Sequence, residues 1–372
     1  MTEAGSALPS LPFTRPDIGE REKQIVLEAL EAGHIGGNGI ISRQLEMRLQ
    51  EMFAVNYVQM TTSCSDALEL AMMSMRIGPG DEVILPSLTF VSTANAVIRE
   101  RAKPVFAEVR ADTFNLDPAH IEQLITPATR GIIPVHYAGQ GCDMPAILEI
   151  AGRRHLRVIE DAAQAVGARR RGRAAGSFGE VGCFSLHPLK NLNGAGDGGI
   201  LTTNDEDLAK RLRLLRNHGL KNRDEVILWG FNSRLDTLQA AVLRVRLKYL
   251  EEVTETRRRN AQRYRQRLSS AVTCPVDRPD EHAIYHLFVI QSDRRDALQD
   301  FLLARGIETK VHYPIPIHLQ LCSASLGYRQ GDFPVAERQA KRILSLPIHQ
   351  NLTEECLEWV TQSVLEFYGG EK

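Results

Sequence analysis

The sequence predicts a mixed α/β fold in two parts, and two patterns carry that prediction. Between about residues 55 and 205, short apolar runs alternate with amphipathic stretches, which is typical of a largely parallel sheet with helices on both faces. From about residue 270 a smaller α+β pattern follows. The 372 residues are enough for about two domains, and 43% hydrophobic residues suffice for a large core. We expect a large domain at residues 1–250, including an N-terminal arm, and a small domain at residues 251–372.

The elements of the alternating region are predicted from apolar spacing. Val55–Met60 is expected to form a strand and Ser65–Arg76 a helix, which Gly78-Pro79-Gly80 ends. The further elements expected before residue 205 are strands at Glu82–Leu85, Pro104–Val109, Gly131–His136 and Arg157–Asp161 and helices at Val91–Arg101 and Pro145–His155. Since ligands bind in such folds at the carboxyl ends of the strands, the residues after each strand are the first candidates for a site.

The second half is expected to begin with a long connecting helix from Leu235 to Leu268. Beyond residue 270, the expected elements are strands at His286–Ile290 and Ile307–His312 with a helix between them at Arg295–Arg305. A final helix follows, for which Asn351 or Thr353 is a suitable N-cap.

Charge and hydropathy exclude several classes of protein. Lys and Arg number 45 and Asp and Glu 46, so the net charge is −1 and the basic excess of a nucleic-acid binder is absent. No apolar stretch reaches the ~20 residues that span a bilayer, and residues 1–16 lack the pattern of a signal peptide. We therefore expect neither nucleic acid nor membrane as a partner.

The cysteines point to a reducing compartment. The six are scattered and form no CxxC pair, which favours reduced thiols in a cytoplasmic protein over disulfides or a zinc site. They are Cys64, Cys142, Cys183, Cys274, Cys322 and Cys356.

One local run, Arg169-Arg170-Arg171-Gly172-Arg173, is basic. Such a run is usually a solvated turn between two elements. The alternative is an anion contact, for example with a phosphate-bearing substrate.

Three segments place polar groups beside strands. Asp161 ends one predicted strand, Lys190 stands between a strand and the glycine-rich residues 194–199, and Ser63-Cys64 turns a strand into a helix. Each alone has an ordinary explanation: a helix cap, a surface lysine or a hydroxyl cap. Together they supply an acid, an amine and a helix N-terminus that attracts phosphate. Pyridoxal 5′-phosphate needs all three, because its ring nitrogen must stay protonated and its aldehyde forms a Schiff base with lysine.

The whole chain, from about Pro12 to its C-terminus, resembles the DegT-type sugar aminotransferases, which are pyridoxal phosphate enzymes of the aspartate aminotransferase fold (fold type I). The motifs that carry the resemblance are GDEVI at 80–84, PSLTF at 86–90, PVHYAG at 134–139, EDAAQA at 160–165, FSLHPLKN at 184–191, RNHG at 216–219, GFNSRL at 230–235 and VHYP at 311–314. The resemblance implies a large cofactor-binding domain with a mostly parallel central sheet and a smaller C-terminal α+β domain.

The resemblance also implies roles for individual residues. Lys190 would form the internal aldimine with pyridoxal phosphate and shuttle a proton, and a pyridoxamine phosphate form would arise during turnover. Asp161 would pair with the ring nitrogen, Gln164 would lie near the ring hydroxyl, and Phe90 would stack on the ring. The phosphate contacts it implies are Ser63, Cys64, Ser185 and, from the neighbouring subunit of a homodimer with shared active sites, Asn232.

Substrate contacts are implied less directly. The candidates are His187, His312, Tyr313 and His318. We expect no metal, because no cysteine or acid stands at ligand spacing from the histidines. One departure concerns the phosphate turn, which has Thr62-Ser63-Cys64 where the family usually shows glycine and threonine.

The implied reaction moves an amino group from an amino acid, most simply L-glutamate, to a nucleotide-linked keto sugar. The turn around Asp197 resembles that of family members acting on 3-keto sugars more than that of members acting on 4-keto sugars. Alternatives are an aminotransferase for a keto-cyclitol or an unlinked sugar, and a non-catalytic regulator of the same fold. A nicotinamide-dependent oxidoreductase is excluded because the glycine-rich turn precedes a strand and not a helix.

Overall fold

The computed structural model describes residues 10–15, 18–33, 35–37 and 39–369. Its strands are β1 Tyr57–Thr61, β2 Glu82–Pro86, β3 Lys103–Ala107, β4 Thr129–Ile132, β5 Arg157–Asp161, β6 Arg169–Arg170, β7 Arg173–Ala174, β8 Val181–Ser185, β9 Gly199–Thr203, β10 Glu281–His282, β11 Phe288–Gln291 and β12 Ile343–Leu346. Its helices are α1 Glu20–Glu31, α2 Ile40–Phe53, α3 Cys64–Ser74, α4 Val91–Arg99, α5 Pro118–Leu124, α6 Met144–Arg154, α7 Glu206–Leu215, α8 Thr237–Leu247, α9 Leu250–Leu268, α10 Arg295–Ala304, α11 Pro334–Arg342 and α12 Glu354–Gly369.

A seven-stranded sheet in the order β1-β9-β8-β5-β4-β2-β3 forms the centre of the molecule. Only β9 among these strands runs against its neighbours, so the sheet is mostly parallel, as predicted. Its middle strands are buried along nearly their whole length, as expected for a parallel sheet covered on both faces. The fold class predicted from the sequence is confirmed.

The topology brings two of the predicted site residues to one edge of this sheet. Strands β5 and β8 are parallel neighbours, and Asp161 pairs with Cys183 in their register. Asp161 is the last residue of β5 and Ser185 the last of β8, so both side chains stand at the carboxyl edge. The segment that contains Lys190 leaves the sheet from the same edge.

The small sheet of the C-terminal part differs from the prediction. The segment Ile307–His312 is not a strand, although Ile307 and Thr309 are buried in alternation. Isolated bridges join Ile307 to Leu11 and Lys310 to Ser345, so the segment has a different partner at each end and forms no continuous ladder. The antiparallel partner of β11 is β12, a strand that the apolar pattern did not predict.

The long connecting helix is two helices. Helix α8 ends at Leu247, and α9 begins at Leu250. Between them Lys248 and Tyr249 donate their N–H groups to carbonyls three residues back, which tightens the backbone and breaks the α-helical ladder. The expected domain boundary at residue 250 stays a prediction. At the final helix the Thr353 hydroxyl accepts the Cys356 N–H, so of the two candidate N-caps it is Thr353 that caps the helix.

The basic run forms the hairpin β6–β7. Arg170 pairs with Asp143 and Glu281 at 3.2 and 3.3 Å, and the Arg173 guanidinium lies 4.6 Å from the centre of the Phe178 ring. These partners favour the turn interpretation over an anion contact.

Candidate active site

A cavity of about 660 Å³ opens at the carboxyl ends of β5 and β8. It lies between the central sheet and the residues that follow α9. The predicted site residues that line it are Ser63, Cys64, Phe90, Asp161, Gln164, Ser185, His187, Lys190, His312 and Tyr313. Two predicted residues, Asn232 and His318, are not part of its wall.

The Asp161 carboxylate is buried on the floor of the cavity. It accepts hydrogen bonds from the Thr93 hydroxyl at 2.8 Å and from the Ala163 N–H at 3.1 Å. The Thr93 hydroxyl in turn lies 2.9 Å from that of Thr89. Burial raises the pKa of Asp161, while these two hydrogen bonds and the charge of Lys190 act in the opposite direction. A cation placed at this carboxylate would therefore be bound firmly.

Lys190 faces the same cavity. Burial lowers the pKa of its amine, and the charges of Cys64 and Asp161 oppose that shift. Its Nζ lies 3.5 Å from Nε2 of His286, a residue that the sequence analysis did not single out. A lysine with a lowered pKa has more of the neutral amine that acts as a nucleophile.

The N-terminus of α3 points its free amides at the cavity. Ser63 is the N-cap of this helix, and its hydroxyl accepts the Asp66 N–H at 3.1 Å. Ser65, which was not predicted, also lines the cavity, and its hydroxyl lies 2.8 Å from that of Ser92. Because the Ser63 side chain is engaged in capping, the backbone amides and the Ser65 hydroxyl are the better groups for an anion.

The side walls carry Gln164, Phe90 and Tyr313. Gln164 accepts the Ala138 N–H at 2.6 Å and donates to the Tyr313 hydroxyl at 3.2 Å, so its amide is held at both ends. The Phe90 ring is 55% exposed although it lines a cavity, and its centre lies 5.9 Å from that of Tyr313. An exposed ring face of this kind can stack on a planar ligand.

Two of the histidines are held by hydrogen bonds. Nδ1 of His312 lies 2.9 Å from the Ser345 hydroxyl, and Nδ1 of His187 accepts the Leu189 N–H at 3.2 Å. Burial, followed by the charges of Lys190 and Lys310, lowers the pKa of His312 to about 4. His312 is therefore neutral at pH 7.

His318 and Asn232 lie elsewhere in the chain. His318 is 2% exposed, its Nε2 lies 3.1 Å from Glu337, and its ring meets the edge of Phe333, so it packs inside the C-terminal part. Asn232 accepts two N–H groups of Arg234, at 3.0 and 2.7 Å. A contact between Asn232 and this cavity would have to come from a second subunit, and it stays a prediction.

The cavity also contains residues that sequence reasoning missed. Those from the N-terminal segment or from beyond residue 250, where no strand-end pattern marks them, include Phe13, Thr14, Arg257, His286, Glu308, Lys310 and His349. Ser65 and Ser92 also line the cavity, and their positions in the first turns of α3 and α4 were visible in the sequence.

Two searches of the described residues gave negative results. No group of three histidines, cysteines or acids in that part of the chain could hold a metal ion. No helix within the same residues has both the length and the apolar character needed to cross a membrane.

Comparison with known proteins gave consistent matches. The model of the DegT/DnrJ/EryC1/StrS aminotransferase family matches residues 16–365. The chain is 46% identical over 308 residues to a pleiotropic regulatory protein of Geobacillus stearothermophilus, with 82% of this chain and 83% of that one covered. It is 44% identical over 326 residues to the UDP-N-acetyl-3-dehydro-alpha-D-glucosamine 3-aminotransferase of Acidithiobacillus ferrooxidans, with 87% of each covered. The structure of Streptomyces venezuelae DesV in complex with a ketimine intermediate superposes with a TM-score of 0.91 at 40% identity, with 94% of each chain covered.

Proposed function

The chain belongs to the DegT/DnrJ/EryC1/StrS aminotransferase family, and on that premise we propose that it aminates a nucleotide-linked keto sugar with pyridoxal 5′-phosphate as cofactor. One observation carries the proposal: a buried acid, a lysine of lowered pKa and a helix N-terminus meet in one cavity. The proposed donor is L-glutamate, and the proposed acceptor carbon is C3.

The residues present fit this cofactor. The described hydrogen-bond donors to Asp161, the Thr93 hydroxyl and the Ala163 N–H, are both neutral. A buried carboxylate with neutral donors gains most from a cationic partner, and a protonated ring nitrogen is one. The amides at the start of α3 and the Ser65 hydroxyl would bind the phosphate, and Phe90 would cover the ring.

Bound there, pyridoxal phosphate supplies an aldehyde that condenses with amines and a protonated ring that withdraws electrons from the reacting carbon. Asp161 would hold the proton on the ring nitrogen. Nζ of Lys190 would hold the cofactor at its aldehyde carbon and would serve as the proton carrier of the reaction, a role for which a lowered pKa is suited. Gln164 and Tyr313 would orient the ring from the side.

Four observations support the proposed substrates. A cavity of about 660 Å³ is within the range of small-molecule sites, about 300–1,000 Å³. Asp197, whose turn resembles that of family members acting on 3-keto sugars, lies in its wall, and Arg257 and Lys310 supply positive charge for an anionic donor or a diphosphate. The relative from Acidithiobacillus ferrooxidans is named for a UDP-linked 3-keto sugar.

A homodimer with Asn232 shared between subunits is also part of the proposal. The loop that precedes Asn232 exposes Val226, Ile227 and Trp229 by 54%, 50% and 91%. Adjacent exposed apolar side chains usually mark a protein interface, and a second copy would cover them. As the cysteines lead us to expect, we also propose that the protein is cytoplasmic.

The half-reactions test the function. We expect the protein loaded with pyridoxal phosphate to lose its visible band on addition of L-glutamate, and a UDP-linked 3-keto sugar to restore it. A 4-keto sugar, a keto-cyclitol and an unlinked sugar form the comparison panel. Restoration by an unlinked acceptor alone would replace the nucleotide-sugar assignment.

The regulatory alternative rests on the name of the Geobacillus stearothermophilus relative. It predicts that the cofactor binds but that no amino acid changes its spectrum. A panel of amino acids that leaves the band unchanged, in protein with Lys190 intact, would favour the regulator.

A further inference from the structure

His286, from the C-terminal part of the chain, has a side chain within hydrogen-bond distance of Lys190. It precedes β11, and its Nε2 lies 3.5 Å from Nζ of Lys190. Nothing in its sequence neighbourhood marks it as functional. The contact exists because the segment before β11 folds back over the turn that carries Lys190.

Asn191 determines which ring nitrogen of His286 carries the proton. Its Nδ2 donates to the Ile284 carbonyl at 3.0 Å, and since a carbonyl only accepts, the amide orientation is fixed. Its Oδ1 therefore faces Nδ1 of His286, at 3.3 Å. An amide oxygen cannot donate, so Nδ1 must hold the proton. The Nε2 lone pair is then the group that faces Lys190.

The surrounding charges keep this ring neutral. Burial and the charges of Lys190 and Arg257, with smaller effects from His312 and His187, lower the pKa of His286 well below its ordinary value. The Arg257 guanidinium also donates to the Tyr285 and His286 carbonyls at 3.2 and 3.3 Å. Both the backbone and the ring of His286 are thus fixed before any ligand binds.

We propose that His286 is a positioning residue for Lys190: Asn191 locks it in the Nδ1–H tautomer, and its Nε2 lone pair receives one N–H of the lysine amine. Because that N–H is engaged, the lone pair of Nζ points in a defined direction, toward the cavity. The ring accepts a hydrogen bond and takes no proton. The consequence for catalysis rests on the proposed function, whereas the tautomer and the lysine contact do not.

The tautomer is measured by nitrogen NMR on cofactor-free protein with ¹⁵N-labelled histidine. We expect the His286 signals, assigned by their loss in His286→Gln, to be those of a neutral Nδ1–H ring. Asn191→Leu should convert them to a mixture of both tautomers. A wild-type ring that is protonated on Nε2, or that titrates near pH 6.5, would overturn the proposal.

The lysine contact is measured by competitive acetylation of Lys190 in cofactor-free protein at a series of pH values, followed by mass spectrometry. His286→Leu removes the acceptor while filling the space, so the Lys190 pKa should fall by about one unit, because a hydrogen bond to a charged group favours the charged form. His286→Gln, which keeps an acceptor oxygen in reach of Nζ, should restore it. His155→Asn, at the exposed end of α6 where φ is 54°, is the control and should change nothing.

Transamination kinetics provide the second readout. In the loaded enzyme His286→Leu should slow the glutamate half-reaction about tenfold to 100-fold with little change in KM, and His286→Gln should recover most of that loss. Equal Lys190 titration in wild type and His286→Leu would refute the positioning role even if the enzyme is active. Failure of the proposed function alone would leave both cofactor-free measurements intact, which separates the two outcomes.

Discussion

The two walls of the cavity are built differently. The sheet wall consists of Asp161, Lys190 and the first turn of α3, and each group there lies at the end of a strand of the central sheet or in the segment that follows one. The C-terminal wall consists of Arg257, His286, Lys310 and His312 with Tyr313, and its groups come from a helix, a loop and an extended segment.

The walls also differ in charge. The sheet wall pairs one carboxylate with one amine of lowered pKa. The C-terminal wall combines the cations Arg257 and Lys310 with neutral imidazoles, and the nearby Glu308 accepts the Phe13 N–H at 3.2 Å. In the proposed function, the sheet wall would supply the reacting groups, and the C-terminal wall would supply positive charge for anionic substrates.

The largest expected effect is on the sheet wall. Lys190→Ala removes the proposed nucleophile and proton carrier together, so activity should fall at least about 10⁴-fold. The visible band of the bound cofactor should disappear as well, which absorption spectroscopy checks. A normal band in this variant would contradict the assignment of Lys190.

We expect Asp161→Asn to lower activity while it raises the thermal stability of the cofactor-free protein. In the proposed function Asp161 holds the proton on the cofactor ring nitrogen, so loss of its charge should lower kcat by about 100-fold or more. Because burial raises the pKa of this carboxyl, its ionised form at pH 7 costs the cofactor-free protein stability, so the variant should unfold at a higher temperature. Calorimetry without cofactor measures this, and a lower melting temperature would oppose it.

His312 on the C-terminal wall should make stability depend on pH. Its pKa is about 4 in the folded protein and 6.5 as the ordinary value, so between these limits the unfolded chain binds a proton that the folded chain does not. Stability from this group is complete above pH 6.5 and falls with pH, by up to about 3 kcal/mol near pH 4. Urea unfolding of cofactor-free protein at pH 7 and pH 5 should show the loss, and His312→Asn should flatten it. Parallel pH curves for the two proteins would exclude this role.

The smallest expected effect comes from Lys310. Its side chain is exposed at the cavity wall, where a single charge contributes modestly to binding. Lys310→Ala should raise the KM of one anionic substrate by about threefold to tenfold with kcat unchanged, and Lys310→Arg should preserve it. Steady-state kinetics at low and high salt test this, since screening should reduce the difference. A changed kcat would instead show that Lys310 acts in the chemical step and not in substrate binding.

Sequence reasoning predicted the sheet wall because local rules apply to it. Asp161 and Lys190 each follow an apolar strand, and parallel strands bring their carboxyl ends to one edge. The same rules failed at Ile307–His312, where an alternating pattern indicated a strand but the two ends of the segment meet different partners. Hydrophobic alternation reports which face is buried, not which neighbour supplies the hydrogen bonds.

By itself, then, the amino-acid order determined the α/β class, the strand-end acid and amine, and the helix terminus that completes the sheet wall. Only the tertiary structure decided that His286 meets Lys190, that the Ser65 hydroxyl lines the cavity beside Ser92 while Ser63 caps its helix, and that His318 packs against Glu337 away from the cavity. The physical reason is the sequence distance over which each signal acts. Periodicity and capping act over a few residues, whereas a contact such as that of His286 with Lys190 depends on how distant segments pack together.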